Sequence, residues 1–134
     1  MSVEEITIPT TKQKFFLEYL TLKKPVLDAI LSKINKRKVC LNEIPLKIYA
    51  QLLYFNDINK HLPDKEKWNI VFGKYTKEII YNSLNLKEHQ LNNYFSILRK
   101  MRILNGRTIN KPFIVYSAET KLLSFRFNIN GHEE

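Results

Sequence analysis

Glycine occurs three times in the 134 residues, cysteine once, and no apolar run approaches the roughly 18 residues of a membrane-spanning helix. Each scarcity excludes something. With so few glycines there is no glycine-rich loop able to cradle a phosphate with backbone N–H groups. A lone Cys40 cannot close an intramolecular disulfide, so a reducing compartment is the simpler expectation, with the thiol acting as a small buried hydrophobe. The start, MSVEEITIP, carries acid where a secretory signal carries base. His61, His89 and His132 are scattered, and no acidic pair shows a catalytic spacing. Asp64 and Glu66 fall in a charged helix start, where the helix dipole accounts for them better than a metal does. The expectation is a soluble, cytoplasmic, non-enzymatic protein with no metal, cofactor, small-molecule substrate or membrane partner.

Positive charge is what the chain has in excess. Lys and Arg number 22 against 13 Asp and Glu, a formal charge of +9, and the pI is near 9.6. A summed positive field attracts polyanions without specifying which one. Lys, Asn, Ile, Tyr and Phe are frequent and Ala is scarce, as in AT-rich coding, so codon drift is an alternative origin for part of the charge. Most Tyr and Phe fall at core spacing, which argues against the surface stacking platform of a single-strand binder. At this length, 44% hydrophobic, the chain suits one core with an N-terminal extension.

The periodicity then places the elements. Residues 6–22 mix β-branched and aromatic side chains around Pro9, predicting a short strand and a short helix. Val26, Leu27, Ile30, Leu31 and Ile34 recur at helical spacing behind Pro25, predicting a helix over 25–36 that ends in a basic run. Asn42 is a candidate N-cap for a helix whose buried stripe is Ile44, Ile48, Leu52 and Phe55, widened by Tyr49 and Leu53. An insert follows, starting a helix at Pro63-Asp64 and turning Trp68, Val71 and Phe72 inward before Gly73. Thr76 is the candidate cap of a short helix burying Ile79, Ile80 and Leu84. Asn85, with Glu88 reaching back, is the candidate cap of the next, whose core side is Leu91, Tyr94, Phe95, Leu98 and Met101. Beyond Gly106 the period changes to two: FIVY at 113–116 and the alternation Leu123, Phe125, Phe127, Ile129 predict a hairpin.

From about Leu41 to Ile129, this order resembles the winged helix-turn-helix superfamily. The passage LNNYFSILRKMRIL followed by Gly106 carries most of the likeness, and the chain also resembles small winged-helix proteins of large tailed phages. The resemblance implies a mostly α fold with a small β-hairpin wing (α+β). It implies an N-terminal extension over 1–40, a winged-helix domain over 41–130 and a tail over 131–134. The insert LPDKEKWNIVFGKYTKEI is longer than the link usual in that superfamily, and residues 1–40 have no counterpart there.

The same resemblance puts Lys87, His89, Gln90, Asn92, Asn93, Ser96 and Lys100 where a recognition helix touches base edges. These residue types are competent: Asn and Gln pair with adenine, and Lys donates to guanine or phosphate. His89, Asn93, Ser96 and Lys100 lie within about 60° on a helical wheel, although any solvated amphipathic helix shows such segregation. Arg99, Arg102, Arg107 and Lys111, extended by Lys121 and Arg126, are the expected phosphate contacts, with a plain solvated surface as the alternative. Lys33, Lys36, Arg37 and Lys38 read first as cations completing a helix C-terminus and second as a basic arm. Duplex DNA is the expected partner of a regulator or DNA-transaction accessory in a host cytoplasm. The alternative is a virion component or adaptor using the same fold to bind protein, a homo-oligomer included.

Overall fold

The computed structural model describes the backbone of residues 11–110, 114–117 and 122–125 and the side chains of residues 13–110. The described residues form helices α1 (Thr11–Leu22), α2 (Lys24–Asn35), α3 (Glu43–Ile58), α4 (Asp64–Val71), α5 (Lys74–Ser83) and α6 (Glu88–Lys100). Strands β1 (Leu104–Asn105), β2 (Thr108–Ile109), β3 (Ile114–Ser117) and β4 (Leu122–Phe125) follow. The chain is therefore mostly helical with a small antiparallel β component; of the strand and helix expected over residues 6–22 the helix is present as α1, and residues 6–10, ahead of it, lie outside the described residues.

Helix α3 is the hub. It runs through the core with Leu46, Ile48, Tyr49, Ala50, Leu52, Leu53 and Phe55 buried, touching α1 on one flank and α4 and α6 on others. Its apolar residues exceed one stripe because neighbours cover it on several sides, as the widening at Tyr49 and Leu53 anticipates. Phe16 and Leu20 of α1 and Leu27, Ile30, Leu31 and Ile34 of α2 enter the same cluster. Val26, placed in that stripe by spacing, is 44% exposed, because it shares the first turn with Pro25 at the helix's outer end. A part-buried polar link joins α3 to α5: Gln51 Nε2 donates to Ser83 Oγ at 3.0 Å, and the Ser83 hydroxyl, with a single hydrogen to give, donates to the Ile80 carbonyl at 2.8 Å.

The insert packs on the core as its aromatic residues suggest. Val71 and Phe72 are buried and Trp68 is half-buried, and the Phe72 ring meets Phe95 of α6 edge-on at 5.7 Å. Aromatic pairs of this kind contribute about 0.5–1.5 kcal/mol beyond area burial. Gly73 joins α4 to α5 at a point where a Cβ would lie 2.6 Å from the Asn69 carbonyl oxygen.

Three caps differ from the sequence reading. Gly73, not Thr76, is the N-cap of α5; Thr76 lies inside the helix and its hydroxyl donates to the Ile70 carbonyl at 2.7 Å, tying α5 back to α4. Asn85 does not open α6 but closes α5: it adopts φ +58°, with Asn85 N–H donating to Asn82 O and Leu86 N–H to Tyr81 O, a Schellman arrangement. Lys87 is the N-cap of α6, and Gln90 rather than Glu88 reaches back, its Oε1 accepting the Lys87 N–H at 2.8 Å. Since an ammonium has no lone pair, that capping box is one-sided.

Cys40 also departs from expectation, being exposed rather than buried. Its position follows from Asp28, which accepts the Leu41 N–H at 2.8 Å and pairs with Lys24 at 2.6 Å; Lys24 Nζ in turn reaches Cys40 Sγ at 3.0 Å. The hydrogen bonds to Asp28 and then Cys40 hold the Lys24 ammonium above its ordinary range.

After α6 the chain makes a short hairpin that the sequence reading lacked, Leu104 facing Ile109 and Asn105 facing Thr108. Gly106 takes φ +64° at its first turn position, the conformation of a type II′ turn, where glycine is free of Cβ cost. The expected hairpin is present farther on, with β3 and β4 antiparallel and Ile114 facing Phe125. Residues 126–129 of its second predicted strand lie outside the described residues.

Candidate functional site

Helix α6 packs its inner side, Leu91, Phe95 and Leu98, into the core against α3, α5 and β1. Tyr94 and Met101 flank that stripe half-buried, so the amphipathic reading of this helix is correct in its central residues. The opposite side meets solvent: Lys87, His89, Gln90, Asn92, Asn93 and Lys100 are exposed and Ser96 is half-buried. Had the insert or α1 lain across this face, no ligand could reach it.

The structure adds a cleft along one flank of that face. Phe72 of α4, Lys77 of α5, Asn92, Asn93, Phe95, Ser96 and Arg99 of α6, and Gly106 and Arg107 of the β1–β2 turn enclose about 280 Å³. Arg107 donates to the Phe72 carbonyl at 3.3 Å, which fixes the guanidinium across the cleft. Arg99 donates to Ser96 Oγ at 3.1 Å, one turn back on its own helix. Lys77 stands 6.0 Å from the centre of the Phe95 ring, its charge against the aromatic edge of the core. Among the described residues, no carboxylate lines this cleft. Among the described residues, no ion pair engages Lys77, Arg99 or Arg107.

Arg102 is exposed at the far end of α6, in the left-handed conformation at φ +66°. Its N–H donates to Arg99 O and that of Ile103 to Leu98 O, while Asn110 Nδ2 holds the Arg102 carbonyl at 3.1 Å. That lock sets the direction in which the β1–β2 turn, and with it Arg107, leaves the helix.

The basic run comes to the same end of α6. Asn35, the last residue of α2, donates to the Met101 carbonyl at 3.4 Å, and exposed Lys36, Arg37 and Lys38 follow directly. Ser32 Oγ, which donates to Val39 O at 3.0 Å and accepts Val39 N–H at 2.8 Å, pinches this loop closed. Lys33 is exposed in the last turn of α2, where a cation complements the helix dipole. Glu78 and Glu88 stand at the N-terminal edge of the α6 face, beside the exposed Lys87. Tyr81 of α5 is half-buried there, and desolvation, then the charges of Glu78 and Glu88, push its phenol above the usual range.

Of the residues singled out from sequence, the α6 set shares one open face and Arg99 and Arg107 share its flanking cleft. Lys111, Lys121 and Arg126 lie outside the described residues. Lys77 was missed because it sits in a helix read only for its buried side. Its half-buried position, across the helix from Ile79 and beside Ile80, was visible, but nothing in one dimension placed it beside Asn92. Among the described residues, no helix is long and apolar enough to cross a membrane. No family model matches the chain, and neither a curated protein nor a solved structure matches it.

Proposed function

We propose that the protein is a phage-encoded, non-enzymatic DNA-binding protein of winged-helix type, which lays α6 in the major groove of duplex DNA as a regulator or DNA-transaction accessory, in keeping with its resemblance to small winged-helix proteins of large tailed phages. The observation that carries this reading is the open, largely carboxylate-free face of α6, continuous with the cations of the flanking cleft. Lys87, His89, Gln90, Asn92, Asn93, Ser96 and Lys100 are its candidates for base and sugar contacts. Arg99, Arg102 and Arg107, joined by the loop of Lys36, Arg37 and Lys38, supply the sequence-independent attraction to phosphate.

Gel-shift titration at two salt concentrations tests the reading. Binding is expected to weaken steeply, with a log–log slope of about −0.9 for each phosphate neutralised. Arg107→Ala lowers affinity for all sequences, whereas Asn93→Ala chiefly changes preference among them. A protein that forms no complex at micromolar concentration in low salt does not have this function.

A second reading, an adaptor that binds protein, has one observation of its own. Leu22 is 79% exposed and shares an apolar groove of about 400 Å³ with Leu17, Glu18, Thr21 and Lys47. A nuclease-resistant complex with a protein partner, weakened by Leu22→Ser, favours it. Recovery of a free monomer alone counts against it.

A further inference from the structure

We infer that the cleft bounded by Lys77, Arg99 and Arg107 is a seat for a single phosphate group, resting on the DNA-binding reading in that the phosphate belongs to the duplex backbone beside α6. Among the described residues, three cations from three separate elements line it and no carboxylate does. Like charges gathered on one small surface repel one another, so an arrangement without a neutralising acid favours an incoming anion.

The donor set suits phosphate. Arg99 and Arg107 each present a planar fork of N–H groups that matches two phosphate oxygens, and Lys77 adds a point charge. Asn92, Ser96 and Arg99 follow at i, i+4 and i+7, which brings them onto one strip of α6 facing the cleft. Asn92 and Ser96 thus move from base readers to neutral donors on a phosphate oxygen. His89 and Lys100 do not line the cleft and remain on the groove-facing side.

The cleft is also built rather than incidental. Arg107 is anchored on the Phe72 carbonyl, Arg99 on Ser96, and the turn that carries Arg107 is aimed by the left-handed Arg102 and by Gly106. Anchoring the guanidinium groups before binding lowers the entropy lost when the anion arrives.

Two measurements on the full chain test this. The first titrates inorganic phosphate into the 15N-labelled protein at constant ionic strength, with chloride as control. Saturable shifts are expected at the amides of Asn92, Ser96 and Arg107, and Lys77→Gln abolishes them. The second compares duplex binding of wild type, Lys77→Gln, Arg107→Gln and, as a control on the exposed part of α4, Lys65→Gln. Each cleft variant is expected to lose affinity on the order of tenfold and to reduce the salt slope by about 0.9, while the control changes neither. Thermal melts identify any Arg107→Gln effect that comes from the lost Phe72 contact, and Lys77→Gln carries the test without it. If wild type binds duplex and the cleft variants bind as well with unchanged slope, the seat is overturned and the DNA-binding reading stands. If phosphate saturates the cleft and no duplex binds, that reading fails and the seat serves a free phosphate compound. Shifts spread evenly over surface lysines, or an acidic peptide binding the cleft more tightly than phosphate, also overturn the inference.

Discussion

At the scale of single residues, the shortage of glycine has a structural cost that other residues meet. Lys36, Asn85 and Arg102 all adopt positive φ at the ends of α2, α5 and α6, the position where glycine is usual. Asparagine tolerates that conformation through its short polar side chain, whereas lysine and arginine do so at about 1–2 kcal/mol each. Arg102→Gly is therefore expected to stabilise the fold by about 1 kcal/mol, read as a higher urea midpoint with an unchanged m-value, while weakening binding to DNA if the guanidinium touches phosphate. A stability gain with no change in binding would restrict Arg102 to a capping role. Cys40 belongs to the same scale. Its exposure contradicts the statistical habit of free cysteines because Asp28 draws the adjoining backbone and Lys24 together at the surface.

Between elements, the joints decide where the candidate site points. Gly73 lets α5 turn directly off α4, and that turn brings Lys77 beside α6. A methyl group at residue 73 would meet backbone oxygen, which cannot rotate away, so Gly73→Ala is expected to cost about 1–3 kcal/mol by chemical denaturation. A neutral result would mean that α4 and α5 can separate without loss. The connection at residues 84–87 is equally specific, with Asn85 closing one helix and the Lys87–Gln90 bond opening the next. Both were legible as a junction in the sequence. The assignment of caps was not, because Asn, Thr and Ser serve either a start or a stop and only the backbone path distinguishes them.

Over the whole molecule, the N-terminal helices and the helices after residue 41 contribute to one apolar cluster. Leu20 of α1 is completely buried and α1 lies on α3. Leu20→Ala is expected to lower stability by about 2–5 kcal/mol while leaving a single cooperative transition. Two transitions, with α6 unaffected in the first, would mean that the N-terminal helices fold as a separate unit. The site inherits this dependence, since α6 is positioned by α3, which α1 covers.

What the sequence determined by itself was the set of amphipathic segments and their inner sides. Ile48, Leu52, Ile80, Leu91 and Leu98 are buried as their spacing requires, because apolar periodicity is enforced by water at every position along a helix. The same periodicity identified the polar side of α6 without saying whether another element lay over it. Tertiary structure decided that the side is open, that Lys77 and Arg107 stand next to Asn92 and Ser96, and that the end of α2 meets the end of α6. Those are relations between residues far apart in the chain. They depend on helix packing and on the φ of a few capping residues, quantities that a pattern of apolar and polar letters does not encode.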